Sequence, residues 1–125
     1  MITEDYISFE TAKLLKEKGF DVYVRSYYEK NEYKTKEEFS KNNALWNWNI
    51  SSFRYSAPTL QMAMKWLREV HNLLILISVD NMVSGYEWSI YYTDSHEITP
   101  YAESGYKSYE DACEAAIRYC LENLI

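Results

Sequence analysis

Glycine and proline are scarce in this chain, with three and two among 125 residues. That scarcity argues against long low-complexity or disordered stretches. A single domain over residues 1–125 is expected, burying roughly two thirds of its unfolded surface. Cysteine is nearly absent. Cys113 and Cys120 lie seven apart on one expected helix, about 10 Å along its axis, too far for a mutual disulfide. Both read as reduced core residues. No apolar run is long enough to span a bilayer, and the first residues do not read as a signal peptide. A soluble cytoplasmic protein with no membrane contact is therefore expected. The glycosylation pattern at Asn49-Ile50-Ser51 then has no consequence.

Basic residues are few and unevenly placed. Residues 1–79 hold 11 Lys/Arg and 10 Asp/Glu, whereas residues 80–125 hold 2 and 9, so the net charge of −6 sits in the C-terminal part. Such a surface repels phosphate backbones, which makes nucleic acid an unfavourable partner.

The strongest local signal runs over residues 56–79. Ser56 is placed as a helix cap, with Pro58 in the first turn where its missing N–H costs nothing. Leu60, Ala63, Met64, Leu67 and Val70 follow at helical spacing, flanked by Met62 and Trp66. Asn72 tolerates a left-handed conformation and ends the helix. Residues 73–79, with Ser78 their one polar side chain, read as a central strand covered on both faces.

Around this unit the remaining elements fall into place. Ser8 caps a first helix carrying Phe9, Ala12, Leu14 and Leu15, and Gly19 closes it. Residues 22–28 alternate as a half-buried strand. A polar insertion occupies about 29–54, where the capping-box pattern Thr35-Lys-Glu-Glu38 suits a short helix to about Asn43. An ordered polar loop is the other reading of that segment. Within the insertion, Trp46 and Trp48 either fold over an exposed sheet face or form a stacking platform for a base or sugar. Tyr86, Trp88, Ile90 and Tyr92 alternate as a strand with one buried face and a possible sheet edge. Residues 94–105 read as a loop. Ser108 caps a last helix whose inner face is Ala112, Cys113, Ala116, Ile117, Cys120 and Leu124.

Groups that carry chemistry are sparse. There is no phosphate loop, dinucleotide turn, nucleophile elbow or paired-cysteine zinc spacing. His71 sits at a helix C-terminus, where an imidazole can cap a carbonyl. Asp94, His96 and Glu97 are donor types within one loop, without the second cluster that a metal centre needs. No cofactor, no metal and no catalytic residue is assigned. By contrast, aromatic side chains are abundant, with 13 tyrosines and four tryptophans. Tyr23, Tyr27, Trp46, Trp48, Tyr91 and Tyr101 are the candidate interaction surface, because aromatic residues in an exposed patch anchor protein interfaces.

Three stretches carry a resemblance: 12–21 (AKLLKEKGFD), 55–71 (YSAPTLQMAMKWLREVH) and 106–117 (YKSYEDACEAAI). Together they resemble small uncharacterised proteins encoded by phages and prophages of gut Bacteroidetes. The resemblance implies a bacterial or phage cytoplasmic setting and transfers no site residue.

The expected fold is α+β, with the order helix, strand, insertion, helix, strand, strand, helix. Its capped helices would pack on one face of a small, mainly antiparallel three-stranded sheet, with 73–79 central. The expected function is a non-enzymatic protein-interaction module acting on a protein partner or on itself. An acidic polyanion mimic that occupies a nucleic-acid-binding protein is the alternative. A single-stranded nucleic-acid-binding domain or an enzyme stands behind both. A helix over 35–43 would give an order similar to a KH RNA-binding domain, but residues 44–55 lack the Gly-x-x-Gly clamp.

Overall fold

A computed structural model describes residues 2–30, 37–82, 84–95 and 101–125. The protein is α+β, with three helices and two antiparallel three-stranded sheets among the described residues. Helices and strands follow broadly the expected order. The strands divide between two compact units, Met1–Thr59 and Leu60–Ile125, instead of sharing one sheet.

The first unit begins with α1 (Phe9–Glu17), capped by the Ser8 hydroxyl, which accepts the Thr11 N–H at 3.2 Å. Gly19 at φ +87° closes it, and the Phe20 N–H returns to the Leu15 carbonyl at 3.0 Å. The sheet has the order β2-β1-β3, with β1 at Val24–Glu29, β2 at Glu38–Trp46 and β3 at Arg54–Ser56. Tyr27 and Tyr28 are neighbours on β1, so their side chains point to opposite faces. Tyr28 packs edge-on against Phe9 of α1, with centroids 5.6 Å apart. Tyr27 stacks at 4.3 Å on Trp48, in a 3-10 turn at Trp48–Ile50. Both faces of β1 are thus covered, one by the helix and one by a single turn carrying a tryptophan.

The second unit has the sheet order β4-β5-β6. α2 (Leu60–His71) buries Leu60, Ala63, Met64, Trp66 and Leu67, and Asn72 at φ +57° turns the chain into β4 (Leu73–Asp80). β5 (Gly85–Tyr92) pairs with β4 from Leu73↔Tyr92 to Asp80↔Gly85. β6 (Ala102–Tyr106) completes the sheet. α3 (Tyr109–Asn123) starts at the Ser108 cap and buries Ala112, Cys113, Ala116, Ile117, Cys120 and Leu121. Leu121 takes the buried place expected of Leu124.

Several expectations are corrected by these elements. Residues 38–46 form a strand, which removes both the helix expected to about Asn43 and the KH-like order; Thr35 and Lys36 lie outside the described residues. Backbone pairing to β1, from Tyr27↔Ser40 to Glu29↔Glu38, wins over the capping pattern. The insertion at about 29–54 is therefore built of a strand, a 3-10 turn and the start of β3. Residues 73–79 are an edge strand, not a central one. Their inner positions Leu73 and Ile75 are buried, while Leu76 and Val79 stand exposed. β5 takes the centre because residues 102–106, read as loop, pair on its far side. Ser56 does not cap α2. It pairs with Tyr27 in β3, and its hydroxyl accepts the Trp48 N–H at 3.1 Å. Val70, expected in the buried stripe of α2, is exposed.

His71 ends α2 with its ring edge-on to Trp66 at 4.7 Å. Its Nε2 is buried with no hydrogen-bond partner among the described residues. Burial holds its pKa below the usual imidazole value. The folded state therefore resists a proton that the unfolded chain accepts, and stability present above pH of about 6.5 is lost as pH falls below it. Denaturant titrations at about pH 7.5 and 5.5 should show wild type losing more stability than His71→Phe, which keeps the ring contact without the titration. Equal losses would remove the imidazole from the account. Leu67, fully buried, should cost about 2–5 kcal/mol on truncation to alanine. A loss under about half a kcal/mol, typical of an exposed site, would mean α2 does not bury that face.

Candidate interaction surface

The six aromatic residues expected at the surface separate into two classes. Tyr27 and Trp48 are 9% and 7% exposed and leave the candidate surface. Their burial follows from the 3-10 turn. Asn47 caps it through its side chain, and the Trp48 indole N–H donates to the Val24 carbonyl at 2.8 Å, which pulls the ring onto Tyr27. Arg54 completes this stack, its guanidinium 5.0 Å from the Tyr27 centroid, 5.6 Å from Trp48 and 5.3 Å from Phe53. Trp48 is consequently closed to a base or a sugar.

Tyr23 and Trp46 form the accessible pair. They are 56% and 48% exposed and meet in a tilted contact with centroids 5.7 Å apart. Their meeting is a matter of register. Val24 pairs with Trp46, and the pairing resumes only at Ser26↔Lys41. The β2 residues between these two points form an irregularity at the sheet edge. Leu45, next to Trp46 in sequence, is exposed as well. Phe39, further along β2, is also partly exposed and packs on Tyr6 at 5.1 Å and Tyr28 at 5.3 Å. Leu45 and Phe39 were not assigned from sequence, because a stretch read as polar insertion gives no period by which to place them.

Tyr91 and Tyr101 belong to the second unit. Tyr91 is exposed on β5, opposite Leu74, and Tyr101 is half-buried against Tyr119 at 5.4 Å.

A distinct polar feature stiffens the first unit. The Lys16 ammonium donates to the carbonyls of Ser51 and Arg54 at 2.5 and 2.8 Å and lies 4.5 Å from the Tyr55 ring centroid. Burial lowers its pKa, but its donors are committed to the turn leading into β3. Elsewhere, burial pushes the Cys113 thiol up to about 11 and that of Cys120 to about 12, so both stay protonated. No group of three His, Cys, Asp or Glu able to hold a metal occurs among the described residues; His96 and Glu97 lie outside them. No described helix is long and apolar enough to cross a membrane. Charge also divides with the fold: residues 1–59 carry 9 Lys/Arg and 9 Asp/Glu, whereas residues 60–125 carry 4 and 10, a net −6.

Comparison with family models, with curated proteins and with solved structures finds no match to this chain.

The two tryptophans should behave differently on truncation. Trp48→Ala should cost about 3–5 kcal/mol of unfolding free energy, as a core aromatic does. Trp46→Ala should cost under about 1 kcal/mol, since half of the side chain is already in water. Comparable losses, measured by denaturant unfolding, would erase the distinction between core and surface rings.

Proposed function

We propose that this chain is a non-enzymatic protein-interaction module that engages a protein partner, or a second copy of itself, through the surface around Tyr23 and Trp46. The observation that carries the reading is the exposed, tilted contact of two large rings where edge strand β2 ends. A solvated tyrosine–tryptophan pair leaves apolar area in water that a partner can bury, and these two residue types dominate binding energy where interfaces have been dissected. A non-enzymatic role is supported by the state of the reactive groups. Both thiols are buried and protonated, which removes them as nucleophiles. The cytoplasm of a bacterial host, implied by the resemblance to phage and prophage proteins, is the proposed setting.

The charge division favours a second reading, in which acidic residues 80–125, with 2 Lys/Arg against 9 Asp/Glu, occupy the basic surface of a nucleic-acid-binding protein. Single-stranded nucleic acid as a direct ligand has less support, because β2 replaces the expected helix and Trp48 is buried.

A photo-crosslinking side chain at position 46, compared with one at the exposed Glu10 position, tests the first reading in host cells. Discrete adducts should form from position 46 and weaken when Tyr23→Ser is added. Equal labelling from both positions, or a strict monomer without adducts at any concentration, would count against it. The second reading requires the purified chain to release a basic protein from duplex DNA, with release diminishing as salt is raised.

A further inference from the structure

β4 is an edge of its sheet, and its ladder to β5 runs without a slip from Leu73↔Tyr92 to Asp80↔Gly85. An antiparallel strand turns the backbone groups of alternate residues toward its partner and those of the others away from it. Two hydrogen bonds fix which are which. The Thr93 N–H donates to the Asn72 carbonyl at 2.9 Å, one step beyond the Leu73↔Tyr92 pair. The Ile90 N–H donates to the Tyr101 carbonyl at 3.1 Å, on the side away from its β4 neighbour Ile75. The odd-numbered residues of β4 therefore turn their N–H and C=O groups outward. Leu73 and Ile75 are buried, but Ile77 is half-buried and Val79 is 64% exposed. Among the described residues, the outward N–H and C=O of Ile77 and Val79 have no hydrogen-bond partner.

The two edges of this sheet are built differently. β6, at the far edge, is five residues long, carries Glu103 and a Gly105 at φ +95°, and slips in register against β5 between Tyr86 and Trp88. Short length, charge and irregularity keep an edge from pairing with another chain. β4 has none of these before Asp80, since residues 73–79 contain no charge, proline, glycine or bulge. Exposed apolar side chains follow the same division. Leu76 and Val79 lie on β4, Met82 in the turn after it, and Val70 near the end of α2, the helix packed on β4. β6 exposes no large apolar side chain.

We propose that β4 pairs antiparallel with β4 of a second copy about a two-fold axis at Ser78, joining the two three-stranded sheets into one. The strand is its own complement in that register. Ile77 of each copy meets Val79 of the other, so the outward groups of both residues are satisfied. Their apolar side chains meet on the face that buries Leu73 and Ile75, while Ser78 faces Ser78 on the opposite face. Asp80 falls opposite Leu76, and no like charges are set against each other. A second copy fits better than an unrelated strand because the pairing closes. It consumes the unprotected edge of both copies, and the joined sheet ends on each side in a protected β6. This interface goes beyond the function proposed above and uses neither Tyr23 nor Trp46.

Sedimentation of the full chain over a range of concentrations supplies the test. It should show a reversible monomer–dimer equilibrium that tightens as salt is raised, because screening relieves the repulsion between two units of net −6. Val79→Pro deletes one outward N–H, a change that an edge strand tolerates. By symmetry the bond is lost twice, so the dimer should weaken about tenfold or more. Val79→Ala keeps the N–H and should weaken it less. Hydrogen exchange of the unmodified chain decides the matter even if Val79→Pro does not fold. The Ile77 and Val79 amides should gain protection as concentration rises, whereas the Ile90 amide, already bonded to Tyr101, should not. The inference fails if the chain stays monomeric, if species larger than a dimer dominate, or if Val79→Pro associates as tightly as the unmodified chain. It fails equally if Val79→Ala costs as much as Val79→Pro, which would reveal a side-chain patch in place of a strand pairing. Loss of the dimer in Trp46→Ser would also overturn it, by moving self-association to the Tyr23–Trp46 surface. Crosslinking of a host protein from position 46 depends on none of these backbone groups, so the two readings can be separated.

Discussion

Each three-stranded sheet in this chain is too small to be stable without cover, and the means of covering it determines the rest of each unit. In the second unit the cover is close approach. α3 presents Ala112, Cys113, Ala116, Ile117, Cys120 and Leu121, all fully buried, so its axis can lie near the strands and seal Trp88 and Ile90 of β5. Bulk is supplied by the sheet and smallness by the helix. The protonated thiols fit this arrangement, since a cysteine here acts as a compact apolar side chain. The first unit solves the same problem on two sides. α1 covers one face through Phe9, and the opposite face is closed by Trp48 over Tyr27, with the Arg54 guanidinium against both rings.

The helices were legible from sequence because their signals are redundant. Ser8 and Ser108 sit before apolar stripes of period 3.6, Gly19 and Asn72 sit after them, and each adopts the backbone state assigned to it. β4 was legible as a strand but misplaced within the sheet. A run such as Leu73-Leu74-Ile75-Leu76-Ile77 is apolar on both faces, and composition alone cannot say that only Leu73 and Ile75 are sealed. Its place depended on β6, whose Ala102-Glu103-Ser104-Gly105-Tyr106 is almost wholly exposed and has little strand propensity. β6 exists through its pairing to β5, including Trp88↔Glu103, and nothing local announces that.

β2 failed for a related reason. Its side chains are nearly all solvated, so the period of two that marks a half-buried strand is missing. The candidate surface suffered in turn. Trp46 and Trp48 are two residues apart and chemically alike, yet one ends an edge strand and the other is drawn inward by an indole hydrogen bond to Val24. β2 ends at Trp46 and the 3-10 turn begins at Trp48, which breaks the alternation that would have placed both rings on one face.

The same pairings that hid from sequence also shape the exposed surface. The register irregularity between Val24 and Ser26 brings Trp46 beside Tyr23 at the sheet edge. The late pairing of β6 sets Glu103 and Tyr106 across from α3, where Arg118, Tyr119 and Glu122 complete an open surface depression. These features differ in chemistry as the units differ in charge. One is a pair of rings on a chain segment with balanced charge, and the other is an acidic aromatic recess within the segment that holds the whole net −6. Desolvating the first gains apolar burial and little electrostatic selectivity. Electrostatic contacts to the second weaken as salt rises, whereas apolar contacts to the first do not.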